Sequence, residues 1–374
     1  MIERVLTATI IRYLLPGKVI ILRGPRRVGK TVLAEFIASQ SQGVLLFNGE
    51  DIATHELLER RSAQHYKQII GHHKMLIIDE AQKVTRIGEV LKLIVDNLPH
   101  LKILISGSSA FDLHSRTGEP LTGRSYTFTL YPLAEEELYR SERPSDRKDN
   151  LMARLIFGSY PELIQLPARE QKEKYLRELL NTYLLRDILA LENIRNSSKI
   201  LNLLRLISYQ VGSEVSYNEL GSSLGMSKNT VEKYLDLLQK VFILHKIEAF
   251  SKNMRKEIVK SSRWYFLDNG IRNAVIANFN WLDTRDDVGK LWENYIIAER
   301  LKFQEYHGIH ANNFFWRTYD RQEVDWVEER DGKMFGYEFK WGNKKTKVPP
   351  AWKKNYPQAE FNVIHQDNYR EWIG

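Results

Sequence analysis

Residues 18–31, "KVIILRGPRRVGKT", join an apolar run, a glycine-bearing turn and the start of a helical pattern, in that order. Gly24, Gly29, Lys30 and Thr31 have the spacing of a phosphate-binding loop, with Pro25, Arg26, Arg27 and Val28 between them. The spacing has a physical cause. Glycines let backbone N–H groups curl round phosphate oxygens, and a helix N-terminus adds the positive end of its dipole. In such a loop Lys30 reaches the β- and γ-phosphates of ATP, and the Thr31 hydroxyl ligates Mg2+.

Three further stretches fit around it. "KMLIIDEAQ" (74–82) is an apolar strand ending in Asp79 and Glu80, where one acid can hold the magnesium shell and the next can polarise the attacking water. "LKILISGSSA" (101–110) is a strand ending in hydroxyls, which places Ser108 near the γ-phosphate or the lytic water, and "GVLLFNGED" (43–51) carries Asn48 at its end. Strands alternating with helical segments predict an α/β fold with a doubly wound parallel sheet, its ligand at the carboxyl ends of the strands.

From about residue 133 to 196 the pattern is helical and amphipathic, as in a helical lid or linker. The segment "SYNELGSSLGMSKNTVEKYLDLLQKVFIL" (216–244) reads as a helix-turn-helix. Ser216 with Glu219 forms a capping box, Gly225 closes the first helix, and Ser227 opens the second. The following "SKNMRKEIVKSSR" (251–263) holds five basic residues against one acid and reads as a wing. One reading aims Lys228, Asn229 and Lys233 at a DNA groove, with Lys252, Arg255 and Lys256 on phosphates. The other makes the module a protein dock, because Glu232 and Asp236 share the helix and repel phosphate.

At "EVDWVEERDGKMFGYEFKW" (323–341), Asp331-Gly332 signals a two-residue hairpin turn. Arg330 then faces Lys333, Trp326 faces Tyr337, Asp325 faces Glu338, and Glu323 faces Lys340. Val324, Trp326, Phe335, Tyr337, Phe339 and Trp341 take one face, while Glu323, Asp325, Glu338 and Lys340 take the other. Directly opposed like charges are destabilising, with Cβ atoms only about 5 Å apart. Mg2+ or Mn2+ between Asp325 and Glu338 removes that repulsion. In "GKLWENYIIAERL" (289–301), Glu293 lies at the edge of an apolar stripe, a costly place for an acid without a partner. Two other readings stay open: a solvated hairpin face neutralised by lysines, and a domain of this shape that only binds.

The chain of 374 residues is 43% hydrophobic, has no cysteine and carries a net charge of +8. That excludes disulfides and cysteine-ligated zinc, fits a reducing cytoplasmic interior, and favours a polyanionic partner. No apolar run is long enough to cross a bilayer, which argues against a membrane partner. "MIERVLTATIIRYLL" has an early acid and no small-residue cleavage site, which argues against a secretory signal.

The series "GPRRVGKT", "LIIDEAQ", "ISGSSA" and "LTGR", continued by "GSYPELI", "TVEKYLDLL", "WYFLDNGIRNAV" and "LWENYI", resembles a prokaryotic family of AAA-type P-loop ATPases. Its C-terminal domain of unknown function is itself similar to PD-(D/E)XK nucleases. The resemblance implies ATP binding and hydrolysis with Mg2+. It also implies a homo-oligomer in which Arg124 of "LTGR", or Arg116, completes a neighbour's site. Glu293, Asp325, Glu338 and Lys340 match the helix acid and the D…E-x-K strands of the nucleases. By that resemblance the acids hold metal and Lys340 orients water, although Val324 stands where a proline often precedes the aspartate.

These readings divide the chain into an AAA-type core (1–135), a helical lid or linker (136–196), a winged helix-turn-helix (197–280) and a restriction-endonuclease-like α/β domain (281–374). They describe an ATP hydrolase acting on nucleic acid, DNA more than RNA. The alternative is a nucleotide-dependent switch or scaffold that binds a protein partner and does not cleave.

Overall fold

The computed structural model describes residues 2–60, 62–107, 121–184, 197–250, 262–342 and 346–374. The chain divides into two compact units, Met1–Leu133 and Ala134–Gly374.

In the first unit the apolar runs become β1 (Val19–Arg23), β2 (Val44–Asn48), β3 (Met75–Asp79) and β4 (Lys102–Gly107), joined by β5 (Ser125–Thr129). Their order is β2-β3-β4-β1-β5, and every pairing is parallel. Parallel central strands are covered on both faces, which is why β1 and β3 read as unbroken apolar runs. Val19, Ile21, Leu76, Ile78, Ile103 and Ile105 pack against Tyr66, Ile70, Leu91 and Ile94 from the flanking helices. Each such side chain contributes about 1.5–3 kcal/mol on burial. The edge strand β5 was not anticipated, because "SYTFT" is short, half-exposed and has no apolar run.

The second unit begins with helices Glu135–Tyr139, Arg147–Phe157 and Arg169–Glu178, the last continuing into a π-helical turn, Leu179–Leu184. Helices Ser197–Tyr209, Tyr217–Leu224 and Lys228–Lys240 follow. Ser216 and Ser227 cap the last two by accepting from the N–H groups of Glu219 and Thr230, and Gly225 ends the first in the left-handed region. Val231, Leu235 and Leu238 are fully buried.

Strands β6 (Leu244–Ala249), β7 (Ser262–Phe266), β8 (Asn312–Arg317), β9 (Glu323–Arg330), β10 (Lys333–Phe339) and β11 (Glu360–Ile364) form one mixed sheet, ordered β11-β10-β9-β8-β6-β7. The strands flanking the basic stretch therefore share a sheet with the C-terminal hairpin, across residues 280 and 281. Helix Val288–His307 packs on this sheet through Asn294, whose amide bonds both the N–H and the carbonyl of Phe266 at 2.7 and 2.9 Å.

The hairpin turn forms as expected, with Asp331 and Gly332 at φ 50 and 70, and the register holds from Arg330↔Lys333 to Trp326↔Tyr337. There the ladder stops. A register shift between β8 and β9 sets Trp316 opposite Val324 and Phe314 opposite Val327, so one extra residue of β9 falls between the two pairs. Val324 consequently packs with Val327, Trp316 and Trp352, whereas Tyr337 and Phe339 pack on Trp372. The single apolar face expected from strict alternation is split in two.

Candidate functional site

At the end of β1 the chain turns through Gly24, φ 153, where an added Cβ would stand 2.1 Å from the Leu130 carbonyl oxygen. Only glycine admits that approach. Gly29, φ 92, then caps helix Lys30–Ser39. The Lys30 ammonium, 5% exposed, donates to the carbonyls of Gly24 and Pro25 at 3.0 and 2.8 Å. Arg4, which sequence reading missed, buttresses the loop by donating to the carbonyls of Val28 and Tyr131, both at 2.7 Å.

The Thr31 hydroxyl donates to Asp79 Oδ2 at 2.7 Å, so the loop and the end of β3 meet at one point. Asp79 Oδ1 accepts from the hydroxyl of Ser106, a fully buried residue of β4. Glu80 follows in the left-handed region at φ 48 and ψ 40, and its Oε2 accepts from Gln82 Nε2 at 2.5 Å. A hydroxyl, a carboxylate and a second acid side by side are hard oxygen donors, which suit Mg2+ beside a phosphate. The residues present therefore fit the ion.

Other expected members stand differently. Asn48 Oδ1 accepts from the Glu50 N–H at 2.9 Å and serves its own turn. Arg124 is paired with Asp96 on a half-exposed surface of the same unit. Ser108 and Arg116 lie outside the described residues, as do Lys252, Arg255 and Lys256. Ser106 carried a usable signal, the first hydroxyl after the apolar run "ILI".

In the second unit, Asp325 and Glu338 are 6% and 7% exposed, so these two acids do not stand on a wet face, whereas Glu323 is exposed. Sequence reasoning missed what surrounds the acids. Arg263, expected in a basic wing, is buried; it bonds Glu323 at 2.8 Å and lies 3.8 Å from Asp325. Asp325 Oδ2 accepts from the Phe339 N–H at 3.0 Å, and Glu338 pairs with Lys340 at 2.6 Å. The expected Glu323–Lys340 pairing does not form: the β9–β10 ladder ends at Trp326↔Tyr337, Glu323 bonds Arg263, and Lys340 bonds Glu338. Tyr265 donates to Glu293 Oε1 at 2.7 Å. Gly212, at φ 73, has the left-handed backbone that favours glycine, and a Cβ there would push against that same oxygen.

Among the described residues no group of three or more histidines and acids is arranged to hold a metal ion. Each of the carboxylates Glu293, Asp325 and Glu338 has a protein donor: Tyr265 for Glu293, the Phe339 N–H for Asp325 and Lys340 for Glu338.

Burial, with the charge of Asp325 second, raises Glu293 to about 8 and Glu338 to about 7. A carboxyl raised on folding takes up a proton as the chain folds, so stability falls as pH climbs from near 4.5 towards 8. Glu293→Gln keeps an acceptor for Tyr265 but cannot titrate. It is expected to flatten the stability difference between pH 5 and pH 8 by roughly 1–3 kcal/mol, read by urea denaturation. The same slope in both proteins would contradict this.

Lys228, Asn229 and Lys233 are exposed on helix Lys228–Lys240. They are interleaved with acids: Asn229, Glu232, Lys233 and Asp236 line one shallow crevice. No helix of the described residues is long and apolar enough to cross a membrane.

Compared with known proteins, residues 16–139 match a family described as an AAA domain. Residues 148–282 and 288–370 match two domains of unknown function, DUF8612 and DUF4143. The chain is 25% identical over 332 residues to an uncharacterized protein of Mycobacterium tuberculosis, covering 88% of this chain and 71% of that one. It is 24% identical over 282 residues to one of Haemophilus influenzae, 69% of each. Among solved structures, a Walker-type ATPase of Pyrococcus abyssi is similar at 14% identity, covering 74% of this chain and 96% of that one, with a TM-score of 0.46.

Proposed function

We propose that this chain, whose first unit is an AAA-type P-loop ATPase domain, hydrolyses ATP with Mg2+ and spends the conformational change on nucleic acid held by its second unit. The Thr31–Asp79 hydrogen bond carries the ATPase reading, because it brings the loop hydroxyl and the strand carboxylate to one position. ATP enters at the carboxyl ends of β1 and β3, where loop N–H groups grip its phosphates. Lys30 exchanges the carbonyls of Gly24 and Pro25 for phosphate oxygens. Thr31 and Asp79 would hold the magnesium, which supplies charge neutralisation at the phosphates when bound. Glu80 takes the proton of the attacking water, whose oxygen bonds to the γ-phosphorus as the bond to ADP breaks.

A nucleic-acid partner, DNA more than RNA, is supported by the +8 charge and the capped helix pair 217–240. A homo-oligomer completed by Arg124 requires that arginine to leave Asp96, a surface pair worth about 1 kcal/mol or less. In the test, phosphate release and binding are measured with double-stranded DNA, single-stranded DNA and RNA at low and high salt. Salt-sensitive DNA binding that stimulates turnover is expected. Failure to bind any of the three at low salt would sink the nucleic-acid part.

A second reading, a nucleotide-dependent switch that docks a protein partner and does not cleave, is favoured by one specific observation. The acids of the second unit already have protein partners: Arg263 lies 3.8 Å from Asp325, Lys340 pairs with Glu338, and Tyr265 donates to Glu293. Cleavage of plasmid DNA with Mn2+ that is lost on Asp325→Ala would overturn it.

A further inference from the structure

We propose that Ser106 is a positioning residue for ATP hydrolysis: one buried hydroxyl that ties the metal-side acid Asp79 to the water-side acid Glu80. The inference rests on the ATPase reading above and adds the element that orients its two acids.

Ser106 sits on β4 one residue beyond Ile105, which is in register with Ile78 of β3. The parallel register thus carries it alongside Asp79. It is fully buried, and a hydroxyl in a central strand is costly unless its hydrogen bonds are made. Here they are. Ser106 donates to Asp79 Oδ1 and accepts from the backbone N–H of Glu80 at 3.3 Å, the one donor and one of the two acceptor sites that a hydroxyl has.

Two consequences follow for the acids. Asp79 accepts on both oxygens, from Ser106 on one side and Thr31 on the other, so its carboxylate cannot rotate without breaking a bond. Glu80, held in the left-handed region where a residue with a side chain is strained by about 1–3 kcal/mol, has its N–H anchored to the same hydroxyl. Gln82 then fixes the far end of its side chain. One atom therefore sets both the carboxylate on the metal side and the start of the side chain on the water side.

The test compares wild type, Ser106→Ala and the near-isosteric Ser106→Cys in the full chain. Each is measured for kcat and KM with Mg2+-ATP, for the Mg2+ concentration giving half-maximal binding of a fluorescent non-hydrolysable ATP analogue, and for Tm. Outer partners of metal-holding side chains typically contribute 10–100-fold. Ser106→Ala is expected to lower kcat about tenfold and raise the Mg2+ midpoint severalfold, with KM and Tm little changed and Ser106→Cys between the two. In a Glu80→Gln background the same change should cost kcat much less, since the acid it orients is gone.

An unchanged kcat and Mg2+ midpoint in Ser106→Ala would overturn the proposal. So would a loss that tracks a fall in Tm, which marks a purely structural role. A wild-type chain that neither binds the analogue nor releases phosphate would instead remove the ATPase reading, and this inference with it.

Discussion

Lys30→Ala is expected to reduce ATP turnover by about 10²–10³-fold, equivalent to roughly 3–4 kcal/mol of transition-state stabilisation. Lys30 is the cation at the mouth of the loop, 5% exposed and held by the Gly24 and Pro25 carbonyls. Those two carbonyls hold the ammonium beside the loop where the phosphates would lie. Alanine removes a charge that acts where negative charge concentrates during transfer. The fold should tolerate the change, since the loop keeps Arg4 on Val28 and the close packing at Gly24. Steady-state phosphate release decides the matter, with Tm as the control. Turnover within tenfold of wild type at an unchanged Tm would remove Lys30 from the mechanism.

The second large effect is structural. Glu328→Ala is expected to destabilise the second unit by about 3–5 kcal/mol, because it leaves the buried cation Arg300 without its partner. Glu328 is fully buried and Arg300 is 3% exposed. The pair is bidentate at 2.6 and 2.8 Å, and Glu328 also accepts from Trp326 Nε1 at 2.9 Å and Gln304 Nε2 at 3.0 Å. Removing the carboxylate takes the acceptor from four N–H donors, two of Arg300 and one each of Trp326 and Gln304, in a space closed to water. The pair itself is not a large source of stability, since withdrawing two charges from water costs about as much as their attraction returns. Replacing both, as Arg300→Met with Glu328→Leu, should therefore recover much of the loss. With two units present, a single two-state transition is not assured. Hydrogen exchange of the β9–β10 amides is the appropriate readout. Equal protection in Glu328→Ala and wild type would refute the expectation.

Local patterns made much of the molecule legible. The strand–loop–helix at 18–31 and the acids at the end of β3 stand where spacing put them, because each depends on residues a few positions apart. The caps at Ser216, Gly225 and Ser227 and the Asp331-Gly332 turn formed for the same reason. The hairpin acids show where such reading ends. Alternation along β9 predicts Asp325 on an open face opposite Glu338. One extra residue relative to β8 changes the register there, and Arg263 arrives from a strand 60 positions away from Glu323. Neither a bulge nor a distant partner leaves a periodic trace.

The sequence alone determined a parallel α/β core with a phosphate-type loop, since the loop's glycines, lysine and hydroxyl lie within eight consecutive positions. Tertiary structure alone decided the state of the polar groups that meet across strands. Ser106 reaches Asp79 only through the β3–β4 register, and Glu293, Asp325 and Glu338 are held by Tyr265, Arg263, the Phe339 N–H and Lys340. The reason is range: dihedral preferences and caps act over a few residues, whereas burial and charge pairing depend on which segments the fold brings together.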